Sequence, residues 1–205
     1  QLLSVILEEK GLGDIFDATI GQVLRGELVK AARKVEMEYF NSKQVWEKRP
    51  TSEAVERAGK QPISVRWVDV NKGDDLEHNY RSRLVARDIK KKGGPSIFAP
   101  TPLFESLRSV LSLLATKDYW SEEVWKASPN SEERLQISFI DIARAYFNAK
   151  ISDDQPIYVQ LPPEDPDYGT GMCARLSVHM HGTRPAADGW HCEFSQTLES
   201  LGMHK

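Results

Sequence analysis

Along this chain, helix-period and strand-period stretches of apolar residues follow one another without strict alternation. From Thr19 to Phe40, the residues Ile20, Val23, Leu24, Leu28, Ala31 and Val35 recur at helical spacing. That predicts an amphipathic N-terminal helix with those side chains on its covered face. Pro50-Thr51-Ser52-Glu53 reads as a second helix start, with Ser or Thr as the cap. Ile63 to Val70 alternates as a strand does, Asn71-Lys72-Gly73-Asp74-Asp75 supplies a turn, and Tyr80 to Ala86 alternates again. Together they predict a β-hairpin whose second strand carries Arg81 and Arg83 on one face, since side chains two apart point the same way. Leu103, Phe104, Leu107, Val110, Leu111 and Leu114 predict a helix from near Pro102 with a buried stripe. Ile137 to Ile140 reads as a short strand ending at Asp141, and Ile157 to Leu161 as another, stopped by Pro162-Pro163. Pro185 to Leu201 reads as a helix with Trp190, Phe194, Leu198 and Leu201 on one side. Mixed helices and strands without regular βαβ order predict an α+β fold.

Composition narrows the class. The 205 residues are 40% hydrophobic and 28% charged, which supports a packed core. Lys and Arg number 27 against 30 Asp and Glu, a net charge of -3 that excludes a polybasic protein but not a local basic patch. Such a patch exists. Arg81, Arg83, Arg87, Lys90, Lys91 and Lys92 fall within twelve residues beside a single anion, Asp88, whereas the stretch from Ile151 onward is acidic. The run is either an anion-binding surface or a solvated strand end. Two cysteines, Cys173 and Cys192, are too few for a disulfide framework and predict a reducing, intracellular setting. No apolar run is long enough to span a bilayer, and the start lacks a basic segment before its apolar residues, so neither membrane span nor signal peptide is expected. The absent initiator Met predicts a piece of a longer protein.

Candidate chemistry centres on Asp141. A carboxylate at the end of a buried strand is a common first ligand in metal-dependent phosphoryl transfer. The same residue could instead cap the helix after it. His179-Met180-His181 with His191-Cys192 has the wrong spacing for zinc, and no P-loop, Gly-rich dinucleotide fingerprint, HExxH or nucleophile elbow is present.

Five stretches, in order, resemble one family. Tyr80-Arg81-Ser82-Arg83-Leu84-Val85-Ala86-Arg87 is similar to YKARLVAKG, and Phe98-Ala99-Pro100-Thr101-Pro102 with Leu107-Arg108 to FAPV…IR. Phe139-Ile140-Asp141-Ile142-Ala143-Arg144-Ala145-Tyr146-Phe147-Asn148-Ala149 is similar to MDVKTAFLNG. Ile157-Tyr158-Val159-Gln160-Leu161-Pro162 is similar to VYMEQP, and Arg175-Leu176 through Gly182-Thr183-Arg184 and Trp190 to CRLKKSLYGLKQAPRAW. The chain therefore resembles the reverse transcriptase of copia-type LTR retrotransposons over residues 67–202.

That resemblance implies a right-hand polymerase fold, here fingers (residues 60–135) and part of the palm (136–205). They would form a partial domain over 36–205, preceded by a helical or linker segment over 1–35. It implies two-metal nucleotidyl transfer with Mg²⁺ or Mn²⁺, with Asp141 as the first metal carboxylate and the Ile142 carbonyl as a further ligand. Arg81 and Arg83 would meet the triphosphate, Ala145 and Tyr146 would line the sugar pocket, and Gly182 would let backbone approach the nascent base pair. Arg87, Lys90, Lys91 and Lys92 would follow the template. Implied partners are an RNA or DNA template-primer, dNTPs and the rest of a Pol polyprotein with its integrase and RNase H. The implied location is cytoplasmic or nuclear.

Departures accompany these matches. No Tyr-x-Asp-Asp occurs, and Asp74-Asp75 and Asp153-Asp154 sit in polar turns. The chain is therefore expected to be inactive alone. The alternative is a decayed copy or a non-catalytic nucleic-acid-binding remnant. The usual Tyr-Gly is His181-Gly182, and Lys117 to Glu133 reads as an insertion.

Overall fold

Asp17 decides where the first helix begins. Its carboxylate accepts the backbone N–H groups of Thr19 (2.7 Å), Ile20 (3.1 Å) and Asn71 (2.7 Å), folding the chain into a turn against the coming hairpin. A side chain that satisfies nearby backbone donors in this way competes with helix. Accordingly α1 spans Gly26–Ser42, not Thr19 onward. Its covered face is Val29, Glu36, Met37 and Phe40, one position round from the expected stripe, and Val35 is 60% exposed. The helical period is correct and its phase is not. Arg33 and Glu36, polar in sequence, turn inward because partners elsewhere in the fold receive them.

The computed structural model describes residues 15–74, 76–89, 103–115 and 140–203. They belong to two compact units, Gln1–Ile97 with Arg144–Lys205, and Phe98–Ala143.

In the first unit α1 leads into β1 (Trp46–Pro50) and α2 (Thr51–Ala58), then β2 (Val65–Asn71) and β3 (Tyr80–Ala86). A 3-10 helix (Ala145–Asn148), β4 (Tyr158–Gln160) and β5 (Met172–Leu176) follow. β2 and β3 form the expected antiparallel hairpin, pairing Val65 with Ala86 through Asn71 with Tyr80. Helix α2 starts where expected, but Pro50 occupies the cap position with no side-chain hydrogen bond.

A three-stranded antiparallel sheet in the order β1-β5-β4 forms the second layer. Neither β1 nor β5 was expected from the sequence. β1 carries Glu47, Lys48 and Arg49 because it is an edge strand, where charge discourages foreign pairing. Lys48 leans out to Asp165 (2.7 Å) and Asp167 (2.6 Å). Ile63 stitches the layers together: its N–H donates to Tyr158, and its carbonyl accepts from Gln160, both at 2.8 Å.

Between the layers lies one core that includes Met37, Phe40, Val45, Trp46, Leu84, Phe147, Val159 and Met180. Phe40 stands 4.7 Å from Trp46 and 5.2 Å from Phe147, ring centroid to centroid, so α1 contributes the aromatic centre. Helix α4 is Ala186–Ser200, close to the expected span, with Trp190 stacked on Phe194 at 5.4 Å; Leu201 lies past its end and is exposed.

The second unit contributes α3 (Phe104–Ala115), where a helix was expected. Its apolar residues are exposed rather than buried: Leu103, Phe104, Leu107, Val110 and Leu111 all reach solvent. Periodicity reports an amphipathic helix, but only a neighbouring face can cover it, and none among the described residues does. The expected strand at Ile137 to Phe139 lies outside the described residues, as does the expected insertion at 117–133.

The phase of α1 is directly testable by urea denaturation. Met37→Ala is expected to cost about 2–5 kcal/mol, as large-to-small core changes do. Val35→Ala, on the solvent side, is expected to stay within about 0.5 kcal/mol. Reversed magnitudes would restore the face read from the sequence.

Candidate functional site

The hairpin register sorts the basic residues. Opposed residues on antiparallel strands share a face, so Arg81 and Arg83 stand outward with their partners Val70 and Val68. The inward face carries Ser82, Leu84 and Ala86, all buried. Arg81 and Arg83 are exposed, and among the described residues neither side chain has a carboxylate within ion-pair distance. Other arginines differ. Arg33 is held by Asp69 (2.7 Å) and Glu164 (2.8 Å), and Arg175 by Asp153. Arg66, opposite Val85, joins the outward face. The sequence reading missed it, although its parity in the alternation of β2 was the available signal. Arg87 follows at the strand end and is exposed; Lys90, Lys91 and Lys92 lie outside the described residues. The one anion of the run, Asp88, is occupied by the Arg184 backbone N–H at 3.0 Å.

The end of β3 meets the His181–Gly182 turn. The Ala86 N–H donates to the His181 carbonyl at 2.8 Å, and the Asp88 N–H donates to the Gly182 carbonyl at 3.3 Å. Gly182 has φ +84°, and a Cβ there would lie 2.0 Å from the Ala86 carbonyl oxygen. Glycine is required on both counts. The close approach present in the structure is to β3 of its own chain.

Beside this turn lies the 3-10 helix. Tyr146 and His181 meet ring to ring at 5.0 Å, nearly perpendicular, and Phe147 reaches the same imidazole at 5.7 Å. Burial, then Arg83 and Arg144, push His181 below its ordinary value near 6.5. Ala145 opens the 3-10 helix and is half-buried. The first unit thus brings Arg83, Ala145, Tyr146 and Gly182 into one neighbourhood.

Asp141 and Ile142 belong to the second unit. Asp141 is exposed and Ile142 half-buried, in a stretch without regular structure. Asp141 does not cap the helix that follows, since Arg144 holds that position. As a metal ligand set, one carboxylate and one carbonyl are hard oxygen donors of the kind Mg²⁺ accepts. They are too few. Among the described residues no group of three His, Cys, Asp or Glu side chains could hold a metal ion. The donors present therefore do not fit a two-metal centre by themselves. The histidines are also dispersed: His179 is buried against Gly189 of α4, and Cys192 is exposed.

Comparison with known proteins decides the family. The model of the family described as reverse transcriptase (RNA-dependent DNA polymerase) matches residues 53–205. The chain belongs to the reverse transcriptase family. It is also 26% identical over 148 residues to the retrovirus-related Pol polyprotein from transposon TNT 1-94 of Nicotiana tabacum. That match covers 69% of this chain and 10% of the relative, so the chain spans about a tenth of that polyprotein. No solved structure matches. Both findings agree with the resemblance to a copia-type retrotransposon reverse transcriptase segment. The reverse transcriptase match excludes α1, which nonetheless packs into the same core. No helix among the described residues is long and apolar enough to cross a membrane.

Two measurements check this neighbourhood. Gly182→Ala is expected to destabilise by more than about 1 kcal/mol, because alanine is strained at this φ and collides with β3. For pH, burial depresses His179 as well as His181 from an ordinary value near 6.5. A histidine with a depressed folded value stabilises the fold above its unfolded value and loses that contribution as pH falls toward the folded one. Burial raises the Glu36 carboxyl, which acts in the opposite sense, so the comparison is made against a variant. Below pH 6.5 the urea midpoint of His179→Leu should fall less steeply than that of the wild type. Parallel profiles would show that His179 titrates normally.

Proposed function

We propose that this chain is the fingers and first palm portion of a copia-type reverse transcriptase, binding an incoming dNTP and a template-primer for RNA-directed DNA synthesis. One observation carries this reading. Arg81 and Arg83 stand side by side, outward and, among the described residues, without a carboxylate within ion-pair distance, on a strand whose end is bonded to the turn beside Tyr146. Guanidinium forks without internal partners suit phosphate oxygens. In this reading Arg81 and Arg83 hold the triphosphate and the Tyr146 ring excludes a ribose 2′-hydroxyl, the atom that separates RNA from DNA. Ala145 and Gly182 complete the walls of that pocket. Arg87, Lys90, Lys91 and Lys92 lie along the template backbone.

Asp141 and the Ile142 carbonyl are the chain's own oxygen donors toward Mg²⁺ or Mn²⁺, and further carboxylates must join them before nucleotidyl transfer can occur. The chain would then work within a Pol polyprotein with integrase and RNase H, copying in the cytoplasm or the nucleus. The sparse donor set favours a second reading, in which this chain binds nucleic acid without catalysis. In both readings the basic face is the contact.

Fluorescence anisotropy of a labelled template-primer, titrated across salt concentrations, tests it. Log affinity should fall linearly with log salt. Arg87→Gln should reduce the slope by about 0.7–0.9, the change that follows when one phosphate is no longer neutralised, whereas Arg83→Gln should do so only under the second reading, where it too meets the nucleic-acid backbone. Asp141→Asn should leave the slope unchanged. Salt-independent binding, or slopes identical in every arginine variant, would refute the reading.

A further inference from the structure

Arg144 has three features that a stable fold does not require. Its backbone is left-handed, at φ +53° and ψ +46°, a region sparsely populated by residues with a Cβ. Its Nη2 donates to the Glu36 carboxylate at 2.7 Å, and that carboxylate is almost wholly buried. Its Nη1 is buried with no hydrogen-bond partner. The guanidinium carbon also lies over Tyr39, 3.5 Å from the ring centre. Both clamping residues come from α1, outside the stretch that matches the family.

The buried ion pair in this arrangement adds little net stability. Burial raises the Glu36 carboxyl despite the opposing pull of Arg144 and Arg83, so removing the charge from water outweighs the attraction it gains. Buried ion pairs are weak stabilisers for this reason, and a backbone outlier persists only where its surroundings over-determine it. What the clamp does determine is a direction. Arg144 is the residue immediately before the 3-10 helix, and its carbonyl accepts the Phe147 N–H at 2.9 Å. Phe147 is held from the same side by Tyr39 and Phe40. Tyr146, between them in sequence, projects to His181 instead.

We infer that Arg144, clamped by Glu36 and Tyr39, is a positioning residue that sets the Tyr146 ring for deoxynucleotide selection. The inference rests on the reading of Tyr146 as the sugar-facing residue. Arg144 itself touches no nucleotide in this account; it acts through the turn it fixes.

The test uses the full 205-residue chain and two variants. Glu36→Leu removes the acceptor for Nη2 and the buried charge together while filling similar volume. Arg144→Gly accepts a left-handed backbone without strain while abolishing the clamp. Equilibrium affinities for dATP and ATP are measured alongside thermal melting and the Tyr146–His181 ring pairing by NMR. The wild type should prefer dATP. Both variants should melt cooperatively, break the ring pairing, and reduce that preference by roughly tenfold or more, as small displacements of positioning groups do. A preference retained in either variant overturns the inference, whatever happens to the ring pairing. A wild-type chain that binds neither nucleotide overturns the sugar-pocket reading itself, and the inference with it. That result is distinct, because it is seen before any substitution is made.

Discussion

The hydrogen bond from the Ala86 N–H to the His181 carbonyl is the joint on which the candidate site depends. It ties the free edge of the hairpin to a turn nearly a hundred residues later in the chain. Everything functional in the first unit hangs from that joint. β3 reaches it carrying Arg81 and Arg83, and the turn brings His181 against Tyr146. The approach is close enough that only glycine fits at 182, so the residue's conformational freedom and its lack of a Cβ serve the same contact. The arginines are free for phosphate because the inner face of the hairpin satisfies its own charges. Asp69 there takes both Arg33 and Ser82, and among the described residues no carboxylate comes within ion-pair distance of Arg81 or Arg83.

Helix α1 is the second constraint. It supplies the aromatic centre of the core through Phe40, and it carries two polar residues, Arg33 and Glu36, into covered positions. Arg33 is received by two carboxylates and by the Trp67 ring, so charges raise its affinity for the proton despite burial. Glu36 is less well compensated. The contrast separates an ion pair that serves stability from one that serves geometry, and it points toward Arg144 as the reason Glu36 is tolerated.

Much of the fold was legible because its signals are local. The hairpin Val65–Asn71 with Tyr80–Ala86 follows from alternation and a polar turn, and α4 from its 3.6 period. The strands β1 and β5 were not legible. An edge strand written Trp-Glu-Lys-Arg-Pro has no alternation to read, because Lys48 answers to Asp165 and Asp167, far along the chain, while Glu47 and Arg49 pair with each other. The phase of α1 failed for the same reason: a charged residue counts as outward in sequence until a distant partner is known to receive it. At the candidate site, the motif letters brought Arg81, Arg83, Tyr146 and Gly182 into view, while Arg66 carried only its parity in the alternation of β2, and Glu36 and Arg144 left no sequence signal.

By itself, the sequence determined the α+β class, most helices and hairpin strands, the outward parity of Arg81 and Arg83, and membership in the reverse transcriptase family. Each of these is a property of neighbours in the chain or of an ordered series of short motifs. Tertiary structure alone decided which face of α1 is covered, that Gly182 abuts β3, and that Arg144 is bound by a helix more than a hundred residues earlier. Those outcomes depend on which surfaces meet, and side-chain period carries no information about the partner a face will find.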